Sequence, residues 1–253
     1  MSHSLLFVFR AVWFTVIFVE TALFVLLAAR KAYNEYLAFF MFVLFSVLRS
    51  FLLLYVMIWH SALFPTIRWL PYVPQLVILI AVVLEVLYLL FHPFETLPSN
   101  TVAHFVGATG TIAVFAVAFA LSHPGAQPTA WATFATALDQ AVSWIVCAIF
   151  VLVALFGTYF GIPWRHRVYG IGVGFVVYLC ADVVVTTVIA QFRLAPLNPI
   201  RLLDMVAFLA SCAIWAYYFV VPETARVVPT CEQIEEVRAV VGGFAKLLPS
   251  KGE

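Results

Sequence analysis

The chain has 253 residues, of which 65% are hydrophobic and 10% are charged, and its formal net charge is +1. An ordinary soluble domain carries about 25% charged residues, so this composition excludes that class. The sequence also has no basic stripe of the kind that a nucleic-acid partner requires, so we expect no such partner.

Seven apolar stretches fill nearly all of the sequence, and each is long enough to cross a lipid bilayer. A hydrocarbon core about 30 Å thick needs about 20 apolar residues in a helix. Because no water satisfies the backbone there, each stretch must be helical. The sequence therefore predicts an all-α polytopic membrane protein whose residues 1–222 form a seven-transmembrane-helix bundle. The predicted spans are Leu5–Ala29, Ala38–Trp59, Val73–Phe91, Thr101–Ser122, Leu138–Gly161, Val168–Ala190 and Leu203–Val221.

Residues 223–253 are predicted to form a cytoplasmic tail that contains a short amphipathic helix. Thr230 is suited to cap this helix, because Gln233 follows three residues later as in a capping box. Apolar residues then recur at helical spacing, at Ile234, Val237, Val241, Phe244 and Leu248. The stripe fits a helix that lies on the membrane or the bundle, and it also fits a docking helix for a protein partner. In the second interpretation Arg165 and Arg167 belong to the same docking face.

The distribution of basic residues predicts the orientation of the bundle. Lys and Arg in short loops favour the cytoplasmic side of a membrane. Eight of them share one side with the C-terminus, namely Arg30, Lys31, Arg165, Arg167, Arg226, Arg238, Lys246 and Lys251. Only Arg68, Arg193 and Arg201 lie on the other side. We therefore expect the N-terminus outside and the C-terminus inside, in the cytoplasmic membrane of a bacterium.

Four ionisable residues lie near the middle of predicted spans: Glu20, Arg49, Glu85 and Asp182. A charge at the centre of a membrane helix costs about 2.5–3.5 kcal/mol on insertion scales, so such residues normally face the bundle interior and pair. Polar companions share their helix faces, and they include Ser46 and Ser50 beside Arg49, Tyr88 beside Glu85, and Tyr178 and Thr186 beside Asp182. These residues predict an inward polar network in which Arg49 bonds to Glu20 or Glu85.

Three interpretations of this network remain open. One is a structural clamp between helices, in which a protonated Asp182 bonds to a hydroxyl group. Another is a pocket for a small apolar or amphipathic ligand, and the third is a path for protons or ions. One arginine cannot neutralise three carboxylates, so we expect at least one acid to be protonated or in contact with water.

Other side chains give no motif for an enzyme, a cofactor or a metal. The three lysines lie outside the spans, which excludes a retinal Schiff base of the usual kind. Cys147, Cys180 and Cys212 lack the spacing of zinc ligands and are interpreted as small core residues. Gly170 and Gly174 form a small-xxx-small pair, which predicts close helix contact. We expect no metal, no cofactor and no catalytic turnover.

Two short stretches carry a resemblance. The run Pro163–Phe175 followed by Asp182 resembles a stretch of uncharacterised bacterial seven-helix proteins, and so does Ile214–Phe219 before Pro222 and Glu223. The layout is also similar to the N-terminal seven-helix sensory regions of some bacterial histidine kinases. The chain departs from those kinases because its tail is too short for a catalytic domain. The resemblance implies a sensory module that signals to a separate partner.

Three functional hypotheses follow from these observations. The first is a non-enzymatic sensory or ligand-binding membrane module that signals to, or docks, a partner on the cytoplasmic side or within the membrane. The second is an accessory or structural subunit of a larger membrane complex. The third is a transporter or membrane enzyme, which the apolar character of most spans disfavours.

Overall fold

The computed structural model describes residues 3–60, 67, 70–91, 138, 140–151, 153, 167–192 and 199–222. These residues form α-helices joined by turns and one short 3-10 turn at Ala32–Asn34, and they include no strand. The helices are α1 (His3–Ala29), α2 (Leu37–Trp59), α3 (Tyr72–Phe91), α4 (Gln140–Val151), α5 (Arg167–Gln191) and α6 (Arg201–Val220).

Four of these helices are long and apolar enough to cross a membrane, over Phe7–Ala29, Leu37–Trp59, Arg167–Ile189 and Arg201–Val220. Two shorter apolar helical stretches accompany them at Pro74–Leu89 and Gln140–Val151. This is the architecture of an all-helical integral membrane protein. The predicted spans that correspond to α1, α2, α3, α5 and α6 are confirmed as helices, with ends within two residues of the prediction. The predicted span Thr101–Ser122, part of Leu138–Gly161 and the tail helix lie outside the described residues.

The ends of α1 and α6 and the beginnings of α2 and α5 lie together at one end of the bundle, which we call the Glu35 end. Arg30 Nη2 donates a hydrogen bond to the carbonyl oxygen of Val220 over 3.4 Å. Arg167 Nη1 lies 3.5 Å from Glu35 Oε2. These two contacts place Arg30 and Arg167 at the same end of the bundle, as expected for antiparallel helices. The opposite end, where α6 begins, is called the Arg201 end.

Between α1 and α2 the chain reverses direction within a few residues. Lys31 has φ 53°, which is the left-handed conformation that L-residues rarely adopt. The 3-10 turn Ala32–Asn34 follows, and α2 begins at Leu37. This tight link makes α1 and α2 neighbours in the bundle.

The interior near the Glu35 end is filled by aromatic rings. This aromatic core consists of Tyr36, Phe39, Phe42, Phe150, Phe175, Trp215 and Phe219, each at most 2% exposed. The Phe39 and Phe219 rings stack with centroids 5.7 Å apart, and the Phe42 and Phe175 rings meet edge to face at 5.0 Å. Such pairs stabilise by about 0.5–1.5 kcal/mol beyond the area they bury.

Two glycines allow α6 to pack directly on α5. A Cβ atom at Gly170 would overlap the ring of Tyr218, and one at Gly174 would overlap the indole of Trp215. The close contact predicted from this small-xxx-small pair is confirmed. Trp215 also donates its Nε1–H to the carbonyl oxygen of Ile171 over 3.2 Å, which satisfies the one polar atom of this buried ring.

Candidate functional site

Glu20 on α1 is a buried acid held by two hydroxyl groups of α2. Its Oε1 accepts a hydrogen bond from Ser46 Oγ at 2.7 Å, and its Oε2 accepts one from Ser50 Oγ at 2.8 Å. The two serines are four residues apart, so they lie on one face of α2. Glu20 is only 3% exposed, and both of its oxygens are satisfied by these contacts.

Arg49 on α2 donates to Gln75 Oε1 on α3. The hydrogen bond predicted from Arg49 to Glu20 or Glu85 stays a prediction, whereas Gln75 is an acceptor that the sequence did not indicate. The guanidinium charge also acts electrostatically on the carboxyl groups of Glu20, Asp182 and Asp204. Arg49 thus bonds to α3 and contributes positive charge to several acids of the bundle.

Glu85 on α3 caps the beginning of α2. Its Oε1 accepts from the backbone N–H of Ala38 at 2.8 Å, and its Oε2 accepts from the N–H of Phe39 at 3.0 Å. The first N–H groups of a helix have no partner within the helix, and the helix dipole favours a negative charge there. Arg49 lies three turns further along α2, about 16 Å from Ala38. The contacts of Glu85 are therefore those of a helix cap at the Glu35 end.

Asp182 on α5 is buried and bonds to a hydroxyl group of α4. Ser143, which is 1% exposed, donates its Oγ–H to Asp182 Oδ2 over 3.3 Å. One turn away, Gln140 Nε2 donates to Thr187 Oγ1 over 3.2 Å. Thr186, named with Asp182 in the sequence analysis, instead donates to the backbone carbonyl oxygen of Asp182 at 2.7 Å. Ser143 is therefore a hydrogen-bond donor to Asp182 that the sequence did not indicate.

Asp204 and Arg201 in the first turn of α6 complete the charged region. The charges of Arg201 and Arg49 act on Asp182 and on Asp204, and the two aspartates act on each other. Asp204 Oδ1 is buried and has no hydrogen-bond donor among the described groups. Sequence reasoning missed both residues, since Arg201 was assigned to a loop. Their i, i+3 spacing at the start of a helix was the available signal.

We call this region the polar cluster, and it brings together groups from α1, α2, α3, α4, α5 and α6. Its members are Glu20, Ser46, Arg49, Ser50, Gln75, Ser143, Asp182, Arg201 and Asp204. Four of the predicted network residues therefore fall in it: Glu20, Ser46, Arg49 and Asp182. Glu85 lies apart, at the Glu35 end.

The two predicted tyrosines differ in their surroundings. Tyr88 is 64% exposed on α3. The ring of Tyr178 on α5 meets that of Phe208 edge to face at 5.2 Å. The placement of both tyrosines in the network stays a prediction.

Of the predicted docking residues only Arg167 is described. Its guanidinium contacts Glu35 and lies 5.7 Å from the centroid of the Phe219 ring, so it is engaged within the Glu35 end. The other docking residues lie outside the described ranges, namely Arg165, Ile234, Val237, Val241 and Phe244.

The polar cluster can exchange hydrogen bonds and balance charge. Over the parts of the chain that the structure describes, no group of three or more His, Cys, Asp and Glu residues could hold a metal ion. Comparison with family models, with curated proteins and with solved structures found no match.

Proposed function

We propose that the protein is a non-enzymatic sensory or ligand-binding module of the membrane, with the polar cluster as its ligand site. The observation that carries this proposal is the buried Asp204 Oδ1, which has no donor among the described residues although charged groups surround it. A buried acceptor without a donor costs about 1–3 kcal/mol. A bound ligand that donates a hydrogen bond would offset that cost.

The character of the surrounding helices suggests the class of ligand. The polar cluster holds carboxyl groups and guanidinium groups, whereas the helix surfaces around it are apolar. A small amphipathic molecule fits this combination, because its polar group can donate to Asp204 while its apolar part remains between helices. Apolar molecules without a donor would leave Asp204 Oδ1 unsatisfied.

Native mass spectrometry of the full chain, released from membranes in mild detergent, tests this function. The wild-type protein is expected to carry a non-protein mass that Asp204→Leu loses. The matched control is Leu203→Ala, which changes an exposed neighbour on α6 and should retain the mass. A wild-type protein that carries no added mass under conditions that preserve its fold would contradict the ligand site.

A second candidate function is an accessory or structural subunit of a larger membrane complex. It is favoured by Glu20 and Glu85, because both oxygens of each acid are occupied by protein donors. Acids that are satisfied in this way act as clamps between helices and leave nothing for a ligand to bind. A defined hetero-complex in the native mass spectrum, without a small-molecule mass, would favour the subunit over the sensor.

For orientation we propose that the Glu35 end faces the cytoplasm of a bacterial cell and that the N-terminus lies outside. The support is the shared position of Arg30 and Arg167, since basic residues favour the cytoplasmic side. Single cysteines placed at Ser4 and Ser250, in a chain with its own cysteines replaced, test this by labelling intact cells. Labelling at residue 250 from outside would reverse the orientation.

Signal output is assigned to the Glu35 end and to the tail around Ile234–Leu248, which would dock a separate protein. Deleting the residues after Pro229 should leave the bundle folded and weaken association with that partner. If the truncated protein co-purifies with the same proteins at unchanged stoichiometry, the tail has no part in docking.

A further inference from the structure

Two thiol groups from neighbouring helices meet between α4 and α5. Cys147 Sγ lies 3.0 Å from Cys180 Sγ, and either thiol can donate its S–H to the other. A disulfide bond is about 2.05 Å long, so a further approach of about 1 Å would join the two sulfur atoms. The sequence indicated three unrelated core cysteines, whereas the structure brings two of them together.

Contacts on both sides hold this thiol pair in place. The helices α4 and α5 run antiparallel, and successive turns of α4 meet successive turns of α5. The paired residues are Gln140 with Thr187, Ser143 with Asp182, Cys147 with Cys180, and Phe150 with Phe175. Because specific contacts flank the sulfur atoms in both directions, the pair can close without a change in helix register.

The two cysteines differ in their access to the surroundings. Cys147 is buried, whereas Cys180 is exposed, as is its neighbour Val184 one turn further along α5. Both exposed positions lie within the stretch of α5 that is long and apolar enough to cross the membrane. An exposed side chain in the middle of such a helix faces lipid, so a reagent for Cys180 must itself dissolve in lipid.

We propose that Cys147 and Cys180 are a thiol–disulfide site that a lipid-soluble quinone oxidises from the bilayer. The two S–H bonds break and one S–S bond forms. The two electrons and two protons pass to the quinone, which becomes a hydroquinone. The resulting bond fixes α4 on α5 one turn from the Ser143–Asp182 contact. The proposal concerns sulfur chemistry and stands independently of ligand binding at the polar cluster.

The test uses the full-length protein in lipid vesicles and counts free thiols by mass spectrometry after denaturation and alkylation. The chain has four cysteines, so the reduced protein should take up four alkyl groups. A fully substituted benzoquinone is added to the vesicle membrane, because its ring has no C–H position at which a thiol adds. Oxidation should reduce the count by two and yield a peptide in which Cys147 is joined to Cys180.

Two variants and a second oxidant make the result specific. Cys180→Ser should lose no alkylatable thiol on treatment, whereas the matched control Cys212→Ser, on α6, should still lose two. Oxidised glutathione, which stays in water, should act more slowly than the quinone. An unchanged thiol count in the quinone-treated wild type, a disulfide that includes Cys212 instead, or equal rates with the two oxidants would each overturn the proposal.

Discussion

The two halves of the described bundle differ in how their interiors are filled. Near the Glu35 end, aromatic rings pack edge to face and stacked, and Trp215 Nε1 is bonded to Ile171. Towards the Arg201 end, the same helices turn carboxyl, hydroxyl and guanidinium groups inward, and Asp204 Oδ1 lacks a donor among the described residues. Close packing stabilises the first half, whereas buried charge costs stability in the second. Polar groups that are retained despite this loss of stability are expected at functional sites.

The largest loss of stability is expected when the packing of the aromatic half is disrupted. Gly174→Leu places a side chain where the Trp215 indole lies and removes the indole from Ile171 O. Overpacking together with an unsatisfied buried donor should cost about 3 kcal/mol or more. Folded yield by size-exclusion chromatography and unfolding in mixed micelles measure the loss. The control is Gly172→Ala, whose Cβ meets Phe150 Cδ1 at 3.2 Å and requires only a small shift. Equal stability of the two variants would contradict the close α5–α6 contact.

A smaller loss is expected when the cap of α2 is removed. Glu85→Leu leaves the N–H groups of Ala38 and Phe39 without their acceptors. Loss of a helix N-cap costs about 0.5–2 kcal/mol, and we expect a value near the upper limit because two bonds are lost. Glu85→Gln keeps one acceptor oxygen and should lose about half as much. Thermal unfolding in detergent compares the two variants. If Glu85→Leu unfolds at the same midpoint as the wild-type protein, Glu85 does not cap α2.

Removing Glu20 should have a milder effect still. Glu20→Leu deletes two hydrogen bonds between helices, and such bonds contribute about 0.6 kcal/mol each on average in membrane proteins. We expect a loss of about 1 kcal/mol, because Ser46 and Ser50 can donate to carbonyl oxygens of their own helix instead. Mixed-micelle unfolding of this variant, of Ser46→Ala and of the double variant measures the coupling. Fully additive effects would show that Ser46 does not depend on Glu20.

A further effect, no larger than that of Glu20→Leu, is expected to have the opposite sign. Asp204→Leu removes a buried acceptor that has no donor among the described groups, so the empty protein should gain about 1 kcal/mol of stability. Asp182→Leu is the matched comparison, and it should lose stability because Ser143 loses its acceptor. Unfolding of both variants in ligand-free detergent separates the two outcomes. A destabilised Asp204→Leu would mean that Asp204 contributes to folding and would weaken its assignment to ligand binding.

The sequence predicted the helices well and the side-chain partners poorly, for physical reasons. Length and apolarity determine where a helix can cross a bilayer, so α1 and α2 could be placed within two residues. Partners depend on which helix faces meet, and periodicity alone does not specify this. Glu20 and Ser46 were both expected to be inward, yet Gln75 was not anticipated as the acceptor for Arg49.

The residues of the polar cluster also differ in how clearly the sequence indicated them. Asp182 could be recognised because a charge in an apolar span is conspicuous. Ser143 could not, because serine is common in helices of all kinds and its neighbours gave no signal. Cys180 was expected in the core, but it is exposed, since one residue of shift around a helix changes the direction of a side chain by about 100°.

The hydroxyl partners of Glu20 and Asp182 also bear on the order in which the protein is made. Ser46 and Ser50 belong to the helix that follows Glu20, and Ser143 belongs to the described helix that precedes Asp182. Each acid therefore meets its donor in a helix close to it in the chain. During synthesis Glu20 needs only α2 for its partners, and Asp182 finds Ser143 already made. Neither acid therefore depends for these hydrogen bonds on α6, the last of the described helices to be synthesised.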